Sequence, residues 1–297
     1  MREVTVCATQ MCCCPDREEN IQRASDLVRA AREKEGAQIV LLQELFATRY
    51  FPQELREDHL DAAEAYEGSA LLDRMAELAG DLGVVLPVSF FERSGNCCFN
   101  SVCVVDADGT KRGVYRKSHI PMGPGYEEKY YFAPGDTGFK VFQTRHAKVG
   151  VGICWDQWFP ECARAMALDG AEVLLYPTAI GSEPHCPGLD SWPHWSAVMK
   201  GHAAANLVPV VASNRVGVES CEHYNGGRTS LKFYGGSFVA DHMGQEVASC
   251  SRIEGEAVGE WEIASFTFDL DEVARQRRAW GLFRDRRPDL YGRLLSM

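Results

Sequence analysis

The chain has 297 residues, 45% hydrophobic and 25% charged, enough to bury the core of one large α/β domain spanning residues 1–297. Its 42 acidic and 31 basic side chains give a formal net charge of −11, and no basic stretch offsets that excess, which argues against an electrostatic nucleic-acid binder. No apolar run approaches membrane-spanning length, and Met1 to Val6 enters a strand pattern without a signal-like apolar segment, so a cytoplasmic protein with no membrane partner is expected.

Glu3 to Gln10 reads as a first strand. From Asn20 the spacing of Ile21, Ala24, Leu27, Val28 and Ala31 is helical, and Gly36 ends it. The continuous apolar run Ile39 to Leu42 predicts a strand buried on both faces, running into Gln43-Glu44. Ser69 is the expected N-cap of a helix closed by Gly83. Val84 to Phe91 follows as a strand, and Phe99–Val105 with Gly113–Arg116 reads as a hairpin that delivers Lys117. Residues 123–138 form a long loop carrying Glu127-Glu128-Lys129 and Tyr130-Tyr131-Phe132, of the kind that folds back over a site.

The apolar run Val149 to Ile153 stops on Cys154, and the chain then turns toward Pro160 and a helical pattern, Ala163 to Leu168. Beyond it lie a strand at Glu172–Pro177, a polar insert from Gly181 to Pro193 and a helix around Trp195–Ala205. A strand at Val208–Asn214, a hairpin at Gly236–Ser249 and a strand at Ala264–Leu270 follow, with Asp271 as the expected cap of the closing segment. Strands and helices alternate, with hairpins interrupting the rhythm, which predicts an α/β sandwich of mixed sheets.

Twelve cysteines and eight histidines raise the question of a metal. The cysteines cluster as Cys12-Cys13-Cys14 and Cys97-Cys98, with no CxxC pair and no HExxH, so neither a metal nor another cofactor is expected.

Glu44, Lys117 and Cys154 each terminate a predicted strand, and ligands of α/β sheets bind at strand ends. Cysteine on a sharp strand-to-helix turn is an exposed nucleophile beside free backbone N–H groups; a carboxylate can take its proton and a fixed ammonium can meet an oxyanion. These residues, within Leu41-Leu42-Gln43-Glu44-Leu45-Phe46, Tyr115-Arg116-Lys117-Ser118-His119-Ile120-Pro121 and Gly152-Ile153-Cys154-Trp155-Asp156, resemble the Glu-Lys-Cys triad of the nitrilase superfamily of carbon–nitrogen hydrolases. The resemblance spans essentially the whole chain. It implies a four-layer αββα sandwich, a homo-oligomer built from dimers, and a second catalytic glutamate, which precedes a lysine in the family and so falls on Glu128, with Glu127 the adjacent alternative.

Within that superfamily the segments Pro124–Phe132, Cys154–Glu161 and Trp195–Pro209 are similar to the N-carbamoylputrescine amidase branch. The implied reaction releases a free amine, ammonia and carbon dioxide from a small ureido substrate through a Cys154 carbamoyl intermediate. A cationic substrate tail is expected, because no Lys or Arg lies between Lys148 and Arg164 to pair a carboxylate. Candidate substrate-binding residues are Tyr50, Trp155 and Trp158 for the aliphatic tail or its ammonium, and Asp156, Glu183 and Asp190 as acidic partners. The rivals are another amidase of the superfamily, acting on N-carbamoyl amino acids, β-ureidopropionate or small monoamides, and a non-enzymatic oligomeric scaffold.

Overall fold

The computed structural model describes residues 1–222, 227–253 and 261–296. Strand side chains alternate between faces, and three apolar cores follow from that period. Val4, Val6 and Ala8 of Glu3–Met11 point into the same central core as Ile39 and Leu41, while Cys7 and Met11 point the other way. Across the middle, Val149, Val151, Val173, Leu175 and Val211 face that central core from a second sheet, whose Leu174, Tyr176, Val210 and Ala212 face outward. Two sheets therefore pack face to face, and each buries its outer face under helices.

One sheet has six strands in the order Glu246–Ser249, Phe238–Ala240, Val210–Ser213, Val173–Pro177, Lys148–Val151, Val141–Gln143. Its three central neighbours run parallel and its flanks antiparallel. The other layer joins two three-stranded sheets. Trp261–Asp269, Glu3–Met11 and Ile39–Leu41 form one, and Leu86–Ser94, Cys97–Val105 and Lys111–Arg116 the other. A parallel bridge between Ile39 and Val85, with Val40 N–H donating to Val85 O at 3.0 Å, aligns them edge to edge.

Helices α1 (Arg17–Glu35) and α2 (Ala70–Leu82) cover this second layer. After the short α3 (Glu128–Tyr131), helices α4 (Pro160–Leu168) and α5 (Trp192–Asn206) cover the six-stranded sheet, and α6 (Leu270–Trp280) follows the last strand. The result is the expected αββα sandwich of mixed sheets.

Local chemistry explains where the boundaries differ from expectation. Helix α1 begins at Arg17 because the Asp16 carboxylate accepts the Glu19 N–H, three residues earlier than the apolar spacing indicated. Ser69 caps α2 as expected, accepting from Leu72 N–H. Asp269, not Asp271, caps α6, accepting from the N–H groups of Asp271 and Glu272. The hairpin Val216–Glu222 with Arg228–Tyr234 was not foreseen, since its strands mix polar and apolar residues without a clean alternation. Among the described residues no helix is long and apolar enough to cross a membrane.

Candidate active site

Lys117 is the first residue after the strand Lys111–Arg116, while Glu44 and Cys154 each stand three residues beyond a strand, Ile39–Leu41 and Lys148–Val151. Glu44 and Lys117 come from the two three-stranded sheets of one layer and Cys154 from the facing six-stranded sheet, so the site forms between the layers. Lys117 and Glu44 are fully buried and Cys154 is 6% exposed.

The Lys117 ammonium donates to Glu44 Oε1 at 2.8 Å and to both oxygens of Glu128, at 2.9 and 2.7 Å. Glu128, rather than Glu127, therefore meets the lysine. The loop that delivers it is tied down by Glu127 N–H to Pro52 O (2.7 Å), Ala133 N–H to Cys98 O (2.9 Å) and Gly135 N–H to Lys117 O (2.8 Å). Gly135 is a required glycine, because a Cβ there would lie 2.1 Å from Arg116 O.

Glu44 Oε1 also accepts from Asn100 Nδ2 at 2.6 Å, whereas Glu44 Oε2 is buried and has no hydrogen-bond partner. Backbone strain surrounds these groups: Cys154 has φ +42° and Leu45, next to Glu44, φ +48°, both in the left-handed region that branched or bulky residues avoid. Gly152 permits the close strand crossing before the elbow, since a Cβ would meet Tyr176 Cε1 at 2.6 Å.

Burial pushes the Cys154 thiol well above the ordinary range, with Glu44 adding to the effect and Lys117 opposing it. The resting thiol keeps its proton and needs a base. Burial works against the Lys117 charge, but Glu128 and Glu44 outweigh it and raise the ammonium above the usual lysine range. Burial also raises the Glu128 carboxyl, with Lys117 pulling it back. The arrangement holds one fixed cation, a carboxylate oxygen free to accept a proton, and a nucleophile at the start of a helical turn, Cys154–Trp158, whose first N–H groups have no intrahelical acceptor.

A cavity of about 150 Å³ opens over Cys154 and Glu128. Trp155 and Trp158 line it, as expected, together with Glu183. Three other expectations are corrected. Tyr50 is fully buried and does not line the cavity; its hydroxyl donates to Glu128 Oε1 at 2.6 Å and its ring packs on Tyr126 and Phe233. Asp156 turns inward, where its carboxylate accepts from Ile153 N–H (2.9 Å), Tyr115 O–H (2.7 Å) and His119 N–H (3.0 Å), and its Oδ1 lies 2.8 Å from His119 Nδ1. It thereby fastens the segment after Lys117 to the elbow of Cys154. Asp190 is paired with Arg252 at 2.8 Å, away from the cavity lining.

Asn100 and Arg215 were missed. Asn100 sits beside Ser101 in a strand whose other residues are apolar, which was its only signal. The fully buried Arg215 guanidinium donates to Glu44 O, Leu45 O and Thr48 O and pairs with Glu219 at 2.9 Å; Glu219 in turn accepts Tyr50 N–H at 2.6 Å. No local pattern marks such long-range partners.

Residues 4–278 match the carbon–nitrogen hydrolase family. An N-carbamoylputrescine amidase of Solanum lycopersicum is 57% identical over 298 aligned residues, 100% of this chain and 96% of that protein. A citrullinase of Francisella tularensis is 49% identical over 99% of each chain. The crystal structure of a carbon–nitrogen hydrolase from Helicobacter pylori superposes with a TM-score of 0.89 at 38% identity, covering 99% of each chain. A family match over nearly the whole length and the shared sandwich agree: this chain is a member of the carbon–nitrogen hydrolase family, enzymes that cut carbon–nitrogen bonds other than peptide bonds.

Proposed function

We propose that the protein hydrolyses N-carbamoylputrescine to putrescine, ammonia and carbon dioxide. Relatives 54–57% identical over 99–100% of the chain carry that activity in their names. The observation that carries the reading to this site is the composition of its cavity: Glu183 lines it, with its carboxyl raised first by burial, and among the described residues no Lys or Arg does. Such a cavity favours a substrate tail ending in a cation over one ending in a carboxylate.

In the proposed mechanism Glu44 Oε2 takes the Cys154 proton as Sγ attacks the ureido carbon. A urea carbonyl is a weak electrophile because both nitrogens donate into it, so the oxyanion needs strong support. Lys117 and the Trp155 N–H supply it. The S–C bond forms, the C–N bond to the departing nitrogen breaks, and Glu44 returns its proton to that nitrogen. Glu44 then takes a proton from water as the water attacks the carbamoyl-enzyme; the S–C bond breaks, Glu44 returns that proton to the departing sulfur to restore the thiol, and the released carbamic acid decomposes to carbon dioxide and the second amine. Glu128 keeps Lys117 aimed at the reacting oxygen.

The test is ammonia release from N-carbamoylputrescine, citrulline and β-ureidopropionate under one set of conditions. N-carbamoylputrescine is expected to give the highest kcat/KM; a higher value for citrulline would move the protein to the activity named for its Francisella relative.

We also propose a homodimer as the working unit. Trp280, Leu290 and Leu294 expose about two thirds of their surface, and the latter borders a largely apolar groove of about 750 Å³ shared with α4 and α5. Phe283 instead packs inward beneath Arg164 and Arg277. A monomer mass by light scattering at micromolar concentration would refute the dimer.

A further inference from the structure

The cavity combines polar groups with apolar walls. Its buried inner end holds Cys154 and Glu128; Met122, Trp155 and Ile180 contribute apolar surface; Glu183 and His185 also line it, with side-chain exposures of 23% and 56%. These two residues belong to one tight turn, in which Cys186 N–H donates to Glu183 O at 3.0 Å, and His185 Nδ1 lies 4.0 Å from Glu183 Oε2.

The turn is anchored. Ser182 N–H donates to Lys232 O and Ser182 Oγ accepts Lys232 N–H, at 2.8 and 2.9 Å, while the Tyr126 hydroxyl bridges Gly181 N–H and Ser182 O. Gly125 touches Pro184 so closely that a Cβ there would come within 2.9 Å of its ring. The other titratable groups facing the pair are Tyr126 from the opposite loop, Cys186 on the turn itself, and Glu128 and Cys154 at the inner end. Asp190, farther along the insert, is occupied by Arg252.

We infer that His185 is a specificity-determining residue that competes with the substrate's terminal cation for the Glu183 carboxylate. This deepens the proposed function and rests on it. When the imidazole is neutral, Glu183 is free to pair with an ammonium tail. When the imidazole is protonated, it satisfies Glu183 from within the same turn, and the tail loses its partner. An imidazole carries charge only when protonated, so the competition is read out by changing pH. It acts on KM and spares the chemistry at Cys154. Protonation of Glu183 itself acts in the same direction at lower pH, its carboxyl being raised by burial and lowered by His185.

The experiment compares KM at pH 6 and pH 8 for N-carbamoylputrescine and for N-butylurea, which has the same four-carbon chain without the terminal ammonium, in the wild-type protein and in His185→Gln. Any protonation change at the reacting end of the cavity affects both substrates and cancels in the comparison. The expected result is a KM for N-carbamoylputrescine that rises about fivefold from pH 8 to pH 6, the scale of one partly exposed ion pair. N-butylurea should not follow it, and His185→Gln should flatten the rise. An unchanged rise in His185→Gln, or an equal rise with N-butylurea, overturns the inference while leaving the function standing. Failure of N-carbamoylputrescine to outperform N-butylurea at pH 8 overturns both.

Discussion

The Arg215–Glu219 pair and the Lys117–Glu44–Glu128 group are both sealed from solvent and share Glu44, one through its backbone carbonyl and the other through its carboxylate. In the first, every charged oxygen is met: Glu219 accepts from Arg215 and from Tyr50 N–H, and Arg215 spends its remaining donors on three carbonyls. In the second, one carboxylate oxygen, Glu44 Oε2, is left without a partner, near a thiol that burial keeps protonated. A buried ion cluster that satisfies itself is scaffold; one that leaves a vacancy for a proton is equipped for chemistry.

The sharpest way to break that contrast is at the nucleophile. Cys154→Ala is expected to reduce ammonia release by at least about 10⁴-fold, with a change in unfolding free energy below about 1 kcal/mol, because a small residue replaces a small one while covalent catalysis is lost. Substantial turnover by pure variant would dissolve the distinction between the clusters.

Arg215→Met attacks the scaffold side. It strands Glu219 as a buried charge and frees three carbonyls, so denaturant unfolding should report a loss of about 3–5 kcal/mol. A loss under about 1 kcal/mol would show that the pair carries no structural load.

Tyr50→Phe tests the junction between the two clusters. The hydroxyl donates to Glu128 Oε1 and lowers its carboxyl, opposing burial, so its removal favours the protonated acid. The acid limb of the kcat/KM profile should move upward by about one pH unit, the equivalent of one hydrogen bond to a charged group. A downward shift would contradict the assigned direction.

Two substitutions in the Gly181–Pro193 insert give the smallest effects. Glu183→Gln should raise KM for the diamine derivative about fivefold. Asp190→Asn should leave it within about twofold, its carboxylate being engaged by Arg252.

Much of this architecture is written locally in the chain. Glu44, Lys117 and Cys154 each come just after a strand-like segment, Ile39–Leu42, Gly113–Arg116 and Val149–Ile153, which marks them as strand-end residues, and strand ends gather at one edge of a sheet. The choice between Glu127 and Glu128 turns on which of two neighbours the short helix α3 aims at Lys117, a matter of rotation that spacing does not encode. Tyr50, Asp156 and Asp190 show the same blindness to direction. Each lies near the site in sequence terms, yet each finds a closer partner: Glu128, Tyr115 with His119, and Arg252, the last 62 residues away. Arg215 reaches back 171 residues to Glu44. Partners so distant leave no local trace.

The enclosure of Cys154 has a practical consequence for chemical labelling. Cys97 and Cys186 are exposed, while Cys154 is buried and burial pushes its thiol above the ordinary range, which disfavours the thiolate. A general thiol reagent added in limited amount will therefore modify surface sulfur first, and the count of modified thiols will bear no relation to surviving activity. An electrophile shaped like a urea, small enough for the cavity and able to hydrogen-bond with Lys117, recruits Glu44 to draw off the proton and selects one sulfur among twelve. Active-site titration of this protein is thus a problem of shape and proton transfer rather than of thiol reactivity.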